Sequence, residues 1–141
     1  MEAFDAPASL AGVIVGSGID IVEIARVERA LDRRGERMRQ RLFTARERAA
    51  CEGRARPGPH FALRFAVKEA GMKAIGTGWR RGVAWCDFEL IEEGGALLLE
   101  LHGKGLEYAG RRGSARAWVG GSVTRTHAVA QVVLEGESSS T

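Results

Sequence analysis

The chain has 141 residues, 45% of them hydrophobic, so it is long enough for one globular domain with a single core and too short for two lobes. No apolar run approaches the roughly 20 residues of a membrane span, and the N-terminus lacks the basic-then-apolar order of a secretory signal, so we expect a cytoplasmic protein without a membrane partner. The net charge of +3 is unevenly distributed, with nine arginines against three acids between residues 33 and 56, which favours an acidic partner.

The N-terminal part of the chain predicts one strand followed by helices. Residues 1–11 look like a loose leader, and the apolar run at 13–19 predicts a short buried strand. The next helix is indicated by apolar residues three and four positions apart, which are Ile24, Val27 and Leu31. Gly35 interrupts this pattern, which resumes weakly through Leu42. The sequence RPGPH at 56–60 predicts a loop.

The strongest helical pattern lies in the middle of the chain. Its apolar stripe consists of Phe61, Phe65, Met72 and Ile75. Gly76 and Gly78 follow the stripe, and we expect them to end the helix as a C-cap. Lys68 falls inside the apolar stripe, which is unusual for a purely structural helix.

Strands dominate the C-terminal part. Residues 88–91 and 97–101 flank the turn sequence EEGG and predict a β-hairpin. A short helix and loop are expected at 103–113. A second strand pair is predicted at 118–124 and 128–135, and the low alternation of the last strand predicts that it is buried on both faces or nearly so.

The order of these elements predicts an α+β fold. We expect a single compact domain with helices packed on one side of an antiparallel sheet. The domain is predicted to span residues 12–136, between the leader and a Ser-rich disordered tail at 137–141.

Two acidic positions have structural explanations as well as functional ones. Asp20, followed three residues later by Glu23, has the spacing of a helix capping box, worth about 1 kcal/mol. Glu69 lies one turn before Lys73, the spacing of a helical ion pair worth roughly a few tenths of a kcal/mol. The cysteines and histidines are scattered and show no ligand spacing of a zinc site.

Four segments occur together in the order and spacing of one protein family. They are GSGIDIVEIARV at 16–27, RLFTARE at 41–47, RFAVKEAGMKAIGTG at 64–78, and SVTRT with AVAQVVLE within 122–135. Over roughly residues 12–135 the chain resembles the holo-acyl-carrier-protein synthases, the short class of the 4′-phosphopantetheinyl transferases. The first and third segments are specific when found together, whereas either alone would be weak.

The resemblance implies an enzyme that transfers the 4′-phosphopantetheine group of coenzyme A to a serine of an apo acyl carrier protein. Holo carrier protein and 3′,5′-ADP would be the products. The resemblance further implies a Mg²⁺ cofactor held by Asp20 and Glu69, which suits an ion that takes one or two carboxylates together with waters and phosphate oxygens. Glu69 and Lys73 are implied as catalytic residues, the first accepting a proton and the second sharing phosphate charge.

The resemblance also implies how the substrates and the subunits are bound. The residues implied to contact coenzyme A are Arg64, Lys68, Lys73, Gly76, Gly78 and Arg125. The residues implied to dock the carrier protein are Arg26, Arg33 and Arg37. Family members of this length form homotrimers, so we expect a homotrimer that serves fatty acid biosynthesis or a dedicated polyketide pathway.

At one position the chain departs from the family pattern. Arg125 stands where the family has a histidine, and a guanidinium group cannot act as a general base. This difference leaves open a catalytically impaired paralogue that binds carrier protein or coenzyme A without turnover. A nucleic-acid-binding module is a third alternative; it is disfavoured because Phe43 is the only aromatic residue among the arginines, and we expect no nucleic-acid partner.

Overall fold

The computed structural model describes residues 12–79 and 81–138, which form four α-helices and five strands. In chain order these are β1 (Gly12–Glu23), α1 (Ile24–Leu42), α2 (Ala45–Glu52), α3 (Pro57–Ile75), a 3-10 turn (Trp85–Asp87), β2 (Phe88–Glu93), β3 (Ala96–Leu101), α4 (Gly103–Arg111), β4 (Ser114–Val123) and β5 (His127–Glu137). The predicted leader at 1–11 lies outside the described residues, as do residues 139–141 of the predicted tail. β5 extends through Glu137, the first residue assigned to that tail.

The five strands form two antiparallel sheets. β5 lies between β1 and β4 in a three-stranded sheet, and β2 pairs with β3 in a hairpin. α3 packs against β1 and β5, so the main core lies between this helix and the inner face of the larger sheet. The arrangement confirms the predicted α+β fold.

The start of α1 differs from the prediction. β1 continues through Asp20 and Glu23, and the helix follows it directly at Ile24 without a capping side chain. The predicted capping box is therefore wrong, since Asp20 pairs with Ala130 of β5 in the sheet. The first N–H of the helix is satisfied instead by the carbonyl of Thr126, at 2.9 Å.

The interruption predicted at Gly35 is confirmed. This residue has φ 69° and ψ −154°, which is not helical and divides α1 into two segments. The predicted apolar stripe before it is buried in the core; it consists of Ile24, Val27 and Leu31.

α3 begins earlier than predicted and is the central helix. Residues 57–60, predicted as a loop, form its first turn, because the missing N–H and fixed φ of Pro57 suit the start of a helix. Twelve of its 19 residues are buried, so α3 is covered on nearly all sides. Gly76 ends it in the left-handed conformation, with φ 76°, as predicted. Neither α3 nor any other described helix is both long enough and apolar enough to cross a membrane.

The hairpin and the strand pair occur where they were predicted. Gly94 and Gly95 form the hairpin turn with φ values of 57° and 81°, the combination that a two-residue turn of this kind requires. The prediction that β5 is buried on both faces is wrong. Its residues alternate, because α3 covers the inner face alone and Gln131 on the other face is exposed. β1 is likewise half exposed and not a buried strand.

Candidate active site

A cleft of about 470 Å³ opens between β1, α1 and α3. Three acidic residues line it, Asp20 and Glu23 from β1 and Glu69 from α3, and Arg26 of α1 also lines it. Its apolar lining includes Val27, Ala30, Met38, Leu42 and Phe65. The fold thus brings the two predicted metal ligands to one opening with an apolar floor.

Asp20 lies beside α3 because β1 and α3 pack unusually closely. A Cβ atom at Gly18 would overlap the carbonyl oxygen of Ala70. A Cβ atom at Gly16 would overlap that of Ala74 in the next turn. Backbone atoms cannot give way as a side chain can, so only glycine permits this approach of the strand to the helix.

Lys73 connects the helix to the strand. Its ammonium group donates hydrogen bonds to Asp20 Oδ1 and to the carbonyl oxygen of Ile19, each at 3.0 Å. The ion pair predicted within the helix, between Lys73 and Glu69, is therefore replaced by a pair between α3 and β1. Because 54% of the Lys73 side chain remains exposed, it can also meet a ligand that enters the cleft.

The surroundings of Glu69 disfavour the charged form of its carboxyl group. Burial raises the pKa of this carboxyl above its usual range, and the negative charge of Asp20 raises it further. A hydrogen bond from Trp79 and the charge of Lys73 oppose these effects without cancelling them. Two neighbouring carboxylates with incomplete neutralisation fit a hard divalent cation, which takes oxygen ligands and completes its shell with waters and phosphate oxygens.

Lys68 does not face the cleft. Its side chain is completely buried, and Nζ contacts Glu47 Oε1 at 2.7 Å and the carbonyl oxygens of Trp85 and Phe88 at 3.2 and 2.5 Å. Burial lowers the pKa of Lys68, although the charge of Glu47 opposes the effect. The implied contact of Lys68 with coenzyme A would require the ammonium group to leave these three partners in the core.

Arg64 is also directed away from the cleft. It is 1% exposed, and Nη1 contacts Glu92 Oε1 and the carbonyl oxygen of His60, each at 3.3 Å. The arginine thereby joins α3 to β2. The implied coenzyme contact of Arg64 would require this arrangement to open.

Gly76 and Gly78 follow the end of α3, one turn beyond Lys73. Both have positive φ, 76° and 67°, so the chain reverses there with backbone groups exposed on Gly76 and Gly78. This placement leaves both glycines available to a ligand that extends past the cleft.

Arg125 lies elsewhere, at the exposed turn between β4 and β5. Together with Arg56 and His127 it lines a depression of about 290 Å³ beside the start of α1, and it does not line the Asp20–Glu69 cleft. His127 is exposed, and its Nδ1 lies 2.8 Å from Thr126 Oγ1. Within one chain, then, Arg125 is separated from the two carboxylates.

The arginines of α1 divide between two adjacent depressions. Arg26 lines the cleft, whereas Arg37 lines a second depression of about 620 Å³ that shares Met38 and Leu42 with it. Arg33 lines neither. The remaining residues of the second depression, which were not singled out from the sequence, are Arg34, Arg41 and Trp85. Periodicity identifies helix faces, but it does not show that a turn from a distant part of the chain packs beside them.

A further group of possible metal ligands lies on the β2–β3 hairpin. Within residues 12–79 and 81–138 one such group of three was found, Glu89, Glu100 and His102, with donor atoms within 4.8 Å of one another. The carboxylate of Glu89 already accepts a hydrogen bond from Thr44 and contacts His102 Nε2 at 3.2 Å. Two of the three residues, Glu89 and His102, therefore have an explanation in hydrogen bonding alone.

Comparison with known proteins identifies close relatives. The model of the 4′-phosphopantetheinyl transferase superfamily matches residues 16–132. The chain is 46% identical over 124 residues to the holo-[acyl-carrier-protein] synthase of Koribacter versatilis, which covers 87% of this chain and 99% of that protein.

Solved structures of similar proteins share the fold. The holo-[acyl-carrier-protein] synthase from Neisseria meningitidis matches with a TM-score of 0.79 and 28% identity, covering 86% of this chain and 98% of its own. A holo-(acyl-carrier-protein) synthase from Bacillus anthracis, in complex with CoA (3′,5′-ADP), matches with a TM-score of 0.72 and 35% identity, covering 90% of this chain and 100% of its own.

Proposed function

Because the chain belongs to the 4′-phosphopantetheinyl transferase superfamily, we propose that it transfers the 4′-phosphopantetheine group of coenzyme A to a serine of an apo acyl carrier protein. The products are holo carrier protein and 3′,5′-ADP. The observation that carries the proposal is the cleft in which Asp20 and Glu69 meet beside Lys73. The names of the relatives and the coenzyme complex of the Bacillus anthracis protein support it.

Asp20 and Glu69 are the proposed ligands of Mg²⁺. Their support is that both carboxylates face one cleft and that the negative charge of Asp20 disfavours the charged form of Glu69. When bound there, Mg²⁺ supplies neutralisation of the negative charge on the diphosphate of coenzyme A. The two carboxylates leave room for waters and phosphate oxygens, as this ion requires.

Lys73 and Glu69 carry the other proposed roles. Lys73 donates to Asp20 and to the carbonyl oxygen of Ile19 and, being half exposed, has one donor left for a phosphate oxygen. Glu69 is the proposed acceptor of the proton of the carrier serine. Its place in the cleft that Asp20 also lines supports this role.

The carrier protein is proposed to dock on α1. Arg26 lines the cleft and Arg37 the adjoining depression, so positive charge extends along the opening away from the carboxylates. Arg33 is included in the proposed surface as an exposed cation on the same helix. An acidic carrier would be steered to this surface by long-range attraction.

A homotrimer is proposed as the assembly. The outer face of the three-stranded sheet is apolar and uncovered, with Ile19, Ile21 and Trp118 exposed by 60%, 64% and 50%. The strand register places Val129 and Val133 of β5 on this same face. Exposed apolar patches of this kind mark interaction surfaces. A second copy would also explain how Arg125, which does not line the cleft of its own chain, reaches a bound coenzyme.

The site leaves a second candidate function, a paralogue that binds carrier protein or coenzyme A without turnover. The observation that favours it is Arg125, which cannot exchange a proton where the family has a histidine. The pathway served, fatty acid biosynthesis, and the cytoplasmic location stay predictions from the sequence.

One experiment tests the proposed function. Purified protein is incubated with coenzyme A, Mg²⁺ and an apo acyl carrier protein, and the carrier is weighed by mass spectrometry. A mass increase equal to one phosphopantetheine group is expected, and it should disappear when a chelator replaces Mg²⁺. An unmodified carrier that nonetheless binds the protein would favour the paralogue.

A further inference from the structure

The ammonium group of Lys68 is fully occupied inside the protein. Its three partners are Glu47 Oε1, the carbonyl oxygen of Trp85 and that of Phe88. An ammonium group has three donors, so the three acceptors satisfy it and none is left for a phosphate. A buried ammonium group whose three donors are all hydrogen-bonded holds its acceptors in fixed positions.

Glu47 extends the same network into two further elements. Its Oε1 also accepts the N–H of Thr44 at the start of α2, at 3.1 Å, and its Oε2 accepts the N–H of Leu90 in β2, at 3.2 Å. The buried pair of Lys68 and Glu47 therefore joins α3, α2, the 3-10 turn and β2 at one point.

The 3-10 turn held by Lys68 carries an aromatic stack. The Trp85 ring stacks on Trp79 with centroids 3.8 Å apart and on Phe65 with centroids 5.3 Å apart. Phe65 lines the cleft together with Glu69, and Trp85 lines the adjoining depression together with Arg37. The stack is thus part of the wall that runs from the carboxylates to the arginines of α1.

We propose that Lys68 is a positioning residue, which holds Trp85 through its backbone carbonyl and thereby fixes the aromatic wall against which the carrier protein docks. The inference rests on the proposed function and replaces the coenzyme contact expected of Lys68 from the sequence. Lys68 touches neither substrate. It acts through Trp85, whose apolar ring beside Arg34, Arg37 and Arg41 suits an apolar side chain on an acidic carrier.

The test removes both buried charges together, because loss of Lys68 alone would leave the Glu47 carboxylate buried without a counter-charge. The double variant Lys68→Met with Glu47→Gln keeps one side-chain oxygen at 47, which can accept the N–H of Thr44 or that of Leu90. Steady-state transfer kinetics then give separate KM values for carrier and coenzyme A. We expect the carrier KM to rise at least fivefold, the coenzyme KM to stay within twofold, and the near-UV circular dichroism of the stacked tryptophans to change.

A second set of variants separates positioning from core stability. Trp85→Ala should raise the carrier KM by itself, and in that background the double variant should add no further increase, because both act through one group. Trp85→Phe should restore most of the affinity, since a phenyl ring can still stack on Phe65. If Lys68→Met with Glu47→Gln does not fold, Lys68→Met with Glu47→Leu takes its place, and the two Trp85 variants test the wall without disturbing the pair.

Two outcomes would overturn the proposal. A coenzyme KM raised tenfold with an unchanged carrier KM would make Lys68 a coenzyme contact. Unchanged KM values for both substrates would show that the Lys68–Glu47 pair only contributes to core packing. Absence of transfer by the wild type would instead refute the proposed function. In that case the affinity for the carrier would be measured by adding carrier protein and following the tryptophan fluorescence. Equal affinities of the wild type and the double variant would also overturn the positioning role.

Discussion

Asp20 and Glu69 show how one side chain can have two explanations that only its surroundings separate. Asp20 has the spacing of a helix cap, yet it lies inside β1 and contacts Lys73 of α3. Glu69 has the spacing of an ion pair with Lys73, yet that lysine is bound to the strand. Neither carboxylate serves its own element, although Asp20 pairs with Lys73 of α3, and their presence in one cleft supports the proposed Mg²⁺ site.

The first residue-scale prediction concerns Asp20. Asp20→Asn should abolish Mg²⁺-dependent transfer and lower metal-free stability only slightly, because the residue does not cap α1 and asparagine keeps a side-chain oxygen for Lys73. In the wild type, Mg²⁺ at about ten times its dissociation constant should add about 1.4 kcal/mol of stability. Thermal unfolding with and without Mg²⁺ measures this gain, which Asp20→Asn should lose.

The control for this variant is Asp32→Asn, a change of the same type on α1, where the carboxylate is 83% exposed and remote from the cleft lining. It should retain both transfer and the Mg²⁺-induced stabilisation. Normal metal-dependent turnover in folded Asp20→Asn would show that Asp20 is not a ligand.

The second residue-scale prediction concerns Arg125. If its guanidinium binds a coenzyme phosphate, Arg125→Ala should raise the KM for coenzyme A by about 10- to 150-fold, the equivalent of a charge-assisted hydrogen bond of about 1.5–3 kcal/mol. Arg125→His should be tolerated, because it restores the family residue. Steady-state kinetics of both variants decide the question. An inactive wild type together with an active Arg125→His would mean that this arginine disables the enzyme.

At the scale of elements, α1 is the part of the molecule whose shape matters most for docking. Gly35 divides it, and the first segment contributes Arg26 to the cleft while the second contributes Arg37 to the adjoining depression. Met38 and Leu42 line both depressions, so the cleft and the depression form one continuous surface with arginines along it.

The prediction at this scale is a charge reversal on α1. Arg37→Glu should slow association with the carrier and make it less sensitive to salt, with little effect on the KM for coenzyme A. Arg33→Glu should act in the same direction but less, because Arg33 lines neither depression. Stopped-flow association at several ionic strengths measures both effects.

Lys104→Glu on α4 is the matched control, since it introduces the same charge change away from α1. It should leave association unchanged apart from the small effect of net charge. A larger loss of coenzyme affinity than of carrier affinity in Arg37→Glu would refute the docking surface.

At the scale of the whole molecule, the two faces of the three-stranded sheet differ in burial. The inner face is buried under α3, and its β5 residues are Ala128, Ala130, Val132 and Leu134. The outer face exposes Ile19, Ile21 and Trp118. A monomer would leave this apolar surface in water, so an assembly that covers it is favoured.

The prediction for the assembly is that Ile19→Arg, at an exposed position that does not line the cleft, dissociates the proposed homotrimer, because a buried, unpaired charge is costly at an apolar interface. Sedimentation and light scattering should show trimers for the wild type and monomers for the variant, with transfer activity lost alongside. Leu106→Arg is the control, since Leu106 is similarly exposed, at 54%, but lies on α4. A wild type that sediments as a monomer would refute the assembly.

The sequence by itself determined the family, the break at Gly35, the hairpin turn and the order of elements apart from α2, which was not predicted. These features depend on local periodicity, on glycine conformation and on motifs that are contiguous in the chain. The start of α3 at Pro57 was missed because proline favours both a loop and a first helical turn. The single buried face of β5 was missed because an apolar strand does not indicate which of its faces will be covered.

Only the tertiary structure decided where the side chains of α3 point in relation to the cleft. Lys68, Glu69 and Lys73 lie within two turns of one helix, yet the first is enclosed by the core and the other two face outwards or towards β1. Their environments depend on Glu47 and Asp20, which come from distant segments of the chain. Helical spacing specifies the direction of a side chain from the helix axis, whereas the partner it meets is set by packing between elements.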